Sequence, residues 1–162
     1  MSKSLRLRLP IVVLVVAAIG FSAGGAPASP PATVSGSYVY TDSWFESFRS
    51  AGGNAIIELN ATVEYTGTFT GTSTVHGVLI AHADGRATFH DVEVFTGTVN
   101  GIPGTVTLNL AGSNDSELNV RATSTIVSAT GALAGLHGTL DLAGSVRIPQ
   151  GPYGTYSGRI GW

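Results

Sequence analysis

The chain has 162 residues, enough for one domain with a short tail, and its low charged fraction of 11% argues against extensive disorder. It contains no cysteine, which excludes disulfides, a thiol nucleophile and a cysteine-ligated zinc. The formal net charge is −2 and there is no basic stripe, so nucleic acid is a poor candidate partner.

The first 28 residues have the pattern of a signal peptide. A basic start with Lys3 and Arg6 precedes an apolar run at 11–21, and Ala26-Pro27-Ala28 fits a small-residue cleavage site. We therefore predict cleavage after Ala28 and a secreted protein, extracellular or periplasmic. The alternative is a membrane anchor, which needs about 20 apolar residues, and this run is too short.

Cleavage would leave a short leader at 29–32 and a single domain at 33–162. This mature chain has five arginines, no lysine and ten acidic residues, a formal charge of −5. An acidic surface is repelled by anionic lipid and by nucleic acid, so we expect no membrane partner after cleavage.

The mature chain has almost no helical signal. Glycine and threonine recur throughout, and stretches of alternating polarity are separated by Gly, Asn and Asp turns, which is typical of an all-β sandwich or barrel. The region 42–54 is predicted to be a loop. Strands are predicted at 33–41, 55–69, 72–83, 86–99, 104–112, 117–128, 138–148 and 153–161.

Two residue pairs that end in glycine predict tight hairpins, and these set the strand register. Asp84-Gly85, as a two-residue loop, would place His76 opposite Glu93. Asn100-Gly101, as a second such loop, would place Glu93 opposite Leu108.

A third turn, placed at Thr70-Gly71, would bring Tyr65 opposite His76. Together the registers predict one apolar interior face, which carries Val63, Tyr65, Phe69, Val78, Ile80, Phe89, Phe95, Val106, Leu108 and Leu110. A meander of about eight strands can close on itself and so remove its exposed edges. The predicted fold is an all-β, antiparallel, closed or nearly closed barrel of about eight strands.

Three Gly/Thr-rich segments carry a family resemblance. They are GTFTGTST at 67–74, the stretch from Asp84-Gly85 to EVFTGT at 93–98, and TGALAGLHG at 130–138. Their order and spacing resemble a bacterial family of unknown function that is related to the allene-oxide-cyclase-like β-barrels. The resemblance covers about residues 33–161, and its third segment is the most specific.

This resemblance implies a calycin-like barrel and leaves a homo-oligomer open. The plant cyclases act on a fatty-acid epoxide in an apolar cavity, but carrying that substrate over would be analogy at the level of fold alone. Glu93 matches an acidic position of the family, whereas Ala132 stands where the family usually has Glu. The export signal also departs from the family, which is mostly cytosolic.

Three ionisable residues, His76, Asp91 and Glu93, fall on the predicted interior face, and Tyr65 can join them. A carboxyl group in an apolar barrel has a raised pKa and can act as a general acid or base, and a neighbouring histidine can share its proton. The candidate catalytic residues are therefore Glu93, His76 and Tyr65. The candidate ligand-binding residues are Asp91, Glu93, His76, Tyr65, Phe89 and Phe95.

Several interpretations of this cluster stay open. It can be a structural network of satisfied polar groups, a binding site for a small apolar ligand, or the site of an isomerase or cyclase. A fourth alternative is a structural or interaction protein of the cell envelope that uses its Thr-rich outer face. The histidines are too far apart to share a metal, and we predict no metal and no cofactor. The aromatic residues Tyr153, Tyr156 and Trp162 are predicted to close the barrel.

Overall fold

The structure, a computed structural model, describes residues 30–162, and the predicted signal peptide lies outside this range. Each strand pairs antiparallel with the next, and β8 pairs with β1, so the sheet closes into a barrel. This confirms the predicted all-β barrel of eight strands. Within residues 30–162 no helix is long and apolar enough to cross a membrane. The strands are β1 (Ala32–Ala51), β2 (Asn54–Gly67), β3 (Phe69–Ala81), β4 (Ala87–Val99), β5 (Ile102–Asn114), β6 (Asn119–Gly131), β7 (His137–Arg147) and β8 (Gly151–Gly161).

The predicted strands from the second to the eighth coincide with β2 to β8 to within three residues at each end. They were recognisable because side chains alternate between the interior and solvent along each strand. On β4, for example, Asp91, Glu93 and Phe95 are buried while Val92 and Val94 are exposed.

The hairpin between β4 and β5 has the predicted register. Asn100 and Gly101 have φ angles of 51° and 79°, as a two-residue type I′ turn requires. Glu93 therefore lies opposite Leu108, and Phe95 lies opposite Val106. This pairing confirms the interior position of Glu93.

The predicted register between β3 and β4 is wrong by one residue. The His82 N–H donates to the Arg86 carbonyl (2.8 Å) and the Gly85 N–H to the His82 carbonyl (3.1 Å), so the loop has three residues, 83–85. Gly85 takes φ +85°, as the last residue of a three-residue hairpin loop does. As a result Val75, and not His76, lies opposite Glu93.

The turn between β2 and β3 also differs from its predicted place. The register of β2 and β3 is centred on Thr68 and not on Thr70-Gly71. The Thr68 N–H donates to the Ser35 carbonyl (3.0 Å), and the Thr68 carbonyl accepts from the Asn100 N–H (2.8 Å). Tyr65 is therefore paired with Gly71, and His76 is paired with Asn60.

These two shifts exchange the faces of β3, since neighbouring residues of a strand point to opposite sides. Val78 and Ile80, predicted inside, lie on the outer face, while Leu79 faces the interior cavity.

The predicted loop at 42–54 is wrong, because β1 continues to Ala51. Two register shifts interrupt its pairing with β2, one between Tyr40 and Asp42 and one between Phe45 and Ser47. Each shift breaks the alternation of polar and apolar residues, which is why the segment did not resemble a strand. The pairing of β1 with β8 ends at Val39, so the rest of β1 pairs with β2 alone, as a long hairpin.

One end of the barrel is closed. Leu133 and Leu136, from the loop between β6 and β7, are buried there. The Tyr156 hydroxyl accepts a hydrogen bond from the Phe69 N–H (2.8 Å) and donates to the Thr66 carbonyl (3.1 Å). Of the aromatic residues predicted to close the barrel, Tyr156 is buried, whereas Tyr153 and Trp162 are exposed.

Candidate functional site

The other end of the barrel contains a cavity of about 630 Å³. The loops that join β3 to β4, β5 to β6 and β7 to β8 form its rim. Its walls are mainly apolar and include Leu59, Leu79, Phe89, Leu110, Leu142 and Val146. The volume and the mainly apolar lining both fall within the range found for ligand pockets in proteins.

Two carboxyl groups lie in this apolar setting, both from β4. Asp91 is 7% exposed and Glu93 is 2% exposed, and both line the cavity. Since they are two residues apart on one strand, they point to the same side of the sheet. Tyr38, Tyr40 and Tyr65 line the same part of the barrel.

Glu93 is only partly satisfied by hydrogen bonds. The Tyr65 hydroxyl donates to Oε2 (3.1 Å), but Oε1 is buried without a partner. Burial raises the pKa of Glu93 to about 7, and the charge of Asp91 adds to this effect. The hydroxyls of Ser73 and Tyr65 lower the pKa in turn, although Ser73 Oγ completes no hydrogen bond in this conformation. Glu93 can therefore hold or release a proton near neutral pH.

Asp91 is similar. Its Oδ1 is buried without a hydrogen-bond partner, and burial raises the pKa of its carboxyl to about 7. The side chain has room because Gly77 lies directly opposite it on β3.

The three tyrosines stay protonated beside these carboxyls. Burial raises the pKa of Tyr38 to about 12, and it raises the pKa values of Tyr40 and Tyr65 well above the ordinary value, with a further contribution from Glu93. The rings of Tyr38 and Tyr65 are 6.4 Å apart between centroids, and the Tyr38 hydroxyl has no partner. The cavity thus presents neutral aromatic rings next to two carboxyls.

The predicted interior position of His76 is wrong. Its side chain is on the outer face and exposed, with Nδ1 3.1 Å from Asn60 Oδ1 and 3.9 Å from Glu46 Oε2. The cause is the register of β3, described above. Of the predicted cluster of Tyr65, His76 and Glu93, the structure brings only Tyr65 and Glu93 together.

The two predicted phenylalanines have different positions. Phe89 lines the cavity, whereas Phe95 does not. Phe95 is fully buried and packs edge-on against Tyr65 (5.9 Å between centroids) and Phe69 (5.4 Å). It belongs to the aromatic core between the cavity and the closed end.

Sequence reasoning missed Tyr38 and Tyr40 as site residues. A signal was present, because both fall in the predicted strand 33–41 at the two-residue spacing that places them on one face. It also missed the basic groups of the rim, Arg86 and Arg147. Arg86 is paired with Asp84 (2.7 Å), and the Arg147 guanidinium lies 4.3 Å from the centre of the Tyr153 ring.

Comparison with known protein families gives a clear match. The family model described as a protein of unknown function, DUF3224, matches residues 35–146, well over half of the chain. The chain belongs to the DUF3224 family. This confirms the resemblance to a bacterial family of unknown function.

A solved structure has the same fold. It is the crystal structure of a DUF3224 family protein of unknown function from Shewanella oneidensis MR-1, with 21% sequence identity and a TM-score of 0.60. The match covers 81% of this chain and 96% of the other chain. At this identity the similarity shows the fold alone. A search of curated proteins found no match.

Proposed function

We propose that this DUF3224 protein binds a small, largely apolar molecule inside its barrel. The observation that carries the proposal is the cavity of about 630 Å³, with apolar walls and a few buried polar groups that converge at one place. Binding sites for small molecules typically combine these two features, since apolar walls supply affinity and a few polar groups fix orientation.

The alternative of a purely structural network fits the cluster less well. In such a network each buried polar atom has a partner. Here Glu93 Oε1, Asp91 Oδ1 and the Tyr38 hydroxyl are all buried without one. An unsatisfied buried polar group costs about 1–3 kcal/mol, so this cluster carries a penalty that a satisfied structural network does not have.

The surroundings of the cavity also support an apolar ligand. Phe45, which lines the cavity, is 72% exposed, and Ile148 at the rim is 75% exposed. Phe48 follows on the same hairpin and is also exposed. Exposed apolar groups commonly mark a binding surface, and two of these, Phe45 and Ile148, border the cavity itself.

Native mass spectrometry and a fluorescent reporter test the proposal together. The purified protein is examined for a co-purified mass and then titrated with N-phenylnaphthylamine, a neutral reporter that fluoresces in apolar sites. We expect saturable binding of one reporter per barrel, or its exclusion by a co-purified ligand that denaturation releases. A protein with neither a bound mass nor reporter uptake would overturn the proposal. The same spectra give the oligomeric state.

A matched pair of variants locates the binding. Ala81→Trp places a large ring in the cavity, whereas Ile80→Trp places the same ring one residue away on the outer face. We expect Ala81→Trp to abolish reporter binding and Ile80→Trp to preserve it. Equal binding by the two variants would show that the reporter binds outside the barrel.

A second candidate function is an isomerase or cyclase that works by proton transfer. It is favoured by Glu93, a buried carboxyl beside the cavity whose pKa is raised to about 7, because a general acid or base works best near the ambient pH. Tyr65 would position that carboxyl, and His76 has no part in this version. Once a co-purified ligand is identified, Glu93→Gln should bind it and fail to convert it. Normal conversion by Glu93→Gln would reject this candidate.

We also propose that the protein acts outside the cytoplasm. The support is the basic start, the apolar run and the Ala26-Pro27-Ala28 site of the first 28 residues. N-terminal sequencing of the extracellular or periplasmic protein should begin at Ser29. Recovery of the uncut chain in the cytoplasm would reject the proposal.

A further inference from the structure

We propose that the ligand of this barrel is an organic ammonium ion, a protonated primary or secondary amine on an apolar body, whose head group lies among Asp91, Glu93 and the tyrosines 38, 40 and 65. This inference rests on the proposed binding function and specifies its ligand class. It is derived from three features of the site, namely its unused acceptors, its aromatic rings and the position of its basic groups.

The acceptors are the first feature. Glu93 Oε1 and Asp91 Oδ1 are both buried without a hydrogen-bond partner, and both residues line the cavity, with Asp91 Oδ1 itself lying against Gly77. A carboxylate oxygen accepts hydrogen bonds, and an ammonium group has two or three N–H donors to offer. An ammonium head has enough donors for two carboxyls that turn towards it, whereas a hydroxyl has a single hydrogen to donate.

The aromatic rings are the second feature. Tyr38, Tyr40 and Tyr65 come from the adjacent strands β1 and β2 and line the cavity beside the carboxyls. The charges of both carboxyls contribute to the raised pKa of Tyr40. Aromatic faces attract cations, and cages of aromatic rings are a recurrent means of recognising ammonium groups.

The position of the basic groups is the third feature. Among residues 30–162 the ion pairs are Arg86 with Asp84 and, if the histidine is protonated, His76 with Glu46, so neither buried carboxyl has a cationic partner. The basic groups that line the cavity are His82, Arg86 and Arg147, and they lie in or beside the rim loops. A buried carboxylate is normally paired, and here the missing cation can come from a ligand.

A series of probes with one apolar body and different heads tests the inference. Decylamine, decanol and decanoate are each titrated in competition with the fluorescent reporter. All are kept below the concentrations at which they form micelles or separate from water. We expect decylamine to bind about tenfold or more tightly than decanol, because a hydrogen bond between charged groups is stronger than one from a neutral hydroxyl. Decanoate should bind most weakly, because its head would meet two carboxyls.

Matched variants distinguish amine binding at this site from the non-specific electrostatic attraction between an amine and an acidic protein. Glu93→Gln and Asp91→Asn each remove a buried carboxyl, while Glu64→Gln removes an exposed one on the outer face of β2 with the same change in net charge. We expect the first two to lose the preference for decylamine and to keep decanol binding. The third should behave as the unaltered protein does, and thermal unfolding confirms that each variant is folded.

The outcomes distinguish this inference from the proposed function. If decanol binds as tightly as decylamine, or if Glu64→Gln loses the preference as fully as Glu93→Gln, the ammonium assignment is wrong and a general apolar site remains. If the reporter binds but decylamine does not displace it, the ammonium assignment is likewise wrong. If the reporter does not bind and no ligand co-purifies, the proposed binding function fails.

Discussion

The Asp91 carboxyl occupies the space that a side chain at Gly77 would fill. The two residues are direct partners across β3 and β4, and a Cβ at position 77 would overlap Asp91 Oδ1. The absence of a side chain on one strand thus makes room for a carboxyl from the next.

Gly77→Ala should therefore destabilise the protein. We expect a cost of about 1–3 kcal/mol, typical of adding a methyl group to a filled site, because Asp91 must move towards the cavity. Urea unfolding measures this cost. In the double variant Gly77→Ala/Asp91→Ala the overlap is gone, so the two effects should not be additive. Strict additivity would show that the Asp91 side chain does not lie over Gly77.

The two buried carboxyls should make stability depend on pH in an unusual direction. The pKa values of Asp91 and Glu93 are raised to about 7 in the folded protein, from ordinary values of 3.8 and 4.5. Between these limits the folded state holds protons that the unfolded state has released. The stabilisation from these bound protons is therefore complete below the unfolded pKa and is lost as pH rises towards 7, by at most about 1.4 kcal/mol per pH unit for each group.

Glu93→Gln provides the test, because glutamine resembles the protonated carboxyl. The variant should be more stable than the unaltered protein at pH 8, and its free energy of unfolding should fall less steeply between pH 5 and 7, a window set by the raised pKa. Glu64→Gln, on the outer face, should change neither quantity. An unchanged slope in Glu93→Gln would mean that the pKa of Glu93 is not raised.

The strand pattern and the interior carboxyls were predictable from sequence, because both depend on features that lie close together along the chain. Alternation on β4 and the Asn100-Gly101 turn are both short-range features, and together they placed Asp91 and Glu93 inside. Tyr65 followed from the alternation of β2 in the same way.

The position of His76 was not predictable with the same certainty. Asp84-Gly85 suits both a two-residue loop and the three-residue loop that is observed, and the two differ by one residue of register. Such a shift turns every side chain of β3 to the other face. The size of the cavity depends on how the whole barrel closes, which no local pattern encodes.

Tyr156 supports a prediction about the core of the barrel. Its hydroxyl accepts from the Phe69 N–H (2.8 Å) and donates to the Thr66 carbonyl (3.1 Å), and so joins β8 to both ends of the turn between β2 and β3. Tyr156→Phe leaves the buried Phe69 N–H without this acceptor and should cost about 1–3 kcal/mol.

Tyr153→Phe is the matched control, because Tyr153 is on the same strand and is 38% exposed. We expect it to change the urea midpoint little. Equal effects of the two substitutions would show that the Tyr156 hydrogen bonds do not stabilise the fold.

Leu133 allows the two ends of the barrel to be tested separately. It is fully buried in the closed end, whereas the cavity lies at the opposite end and Leu133 is not among its lining residues. Leu133→Ala should cost about 2–5 kcal/mol, as large-to-small changes in a packed core do, and should leave reporter affinity unchanged in the folded protein. Val127→Ala, at a position on β6 that is 54% exposed, should cost under about 1 kcal/mol. Loss of reporter binding in folded Leu133→Ala would mean that the ligand reaches the closed end, because stability and binding would then depend on the same packing.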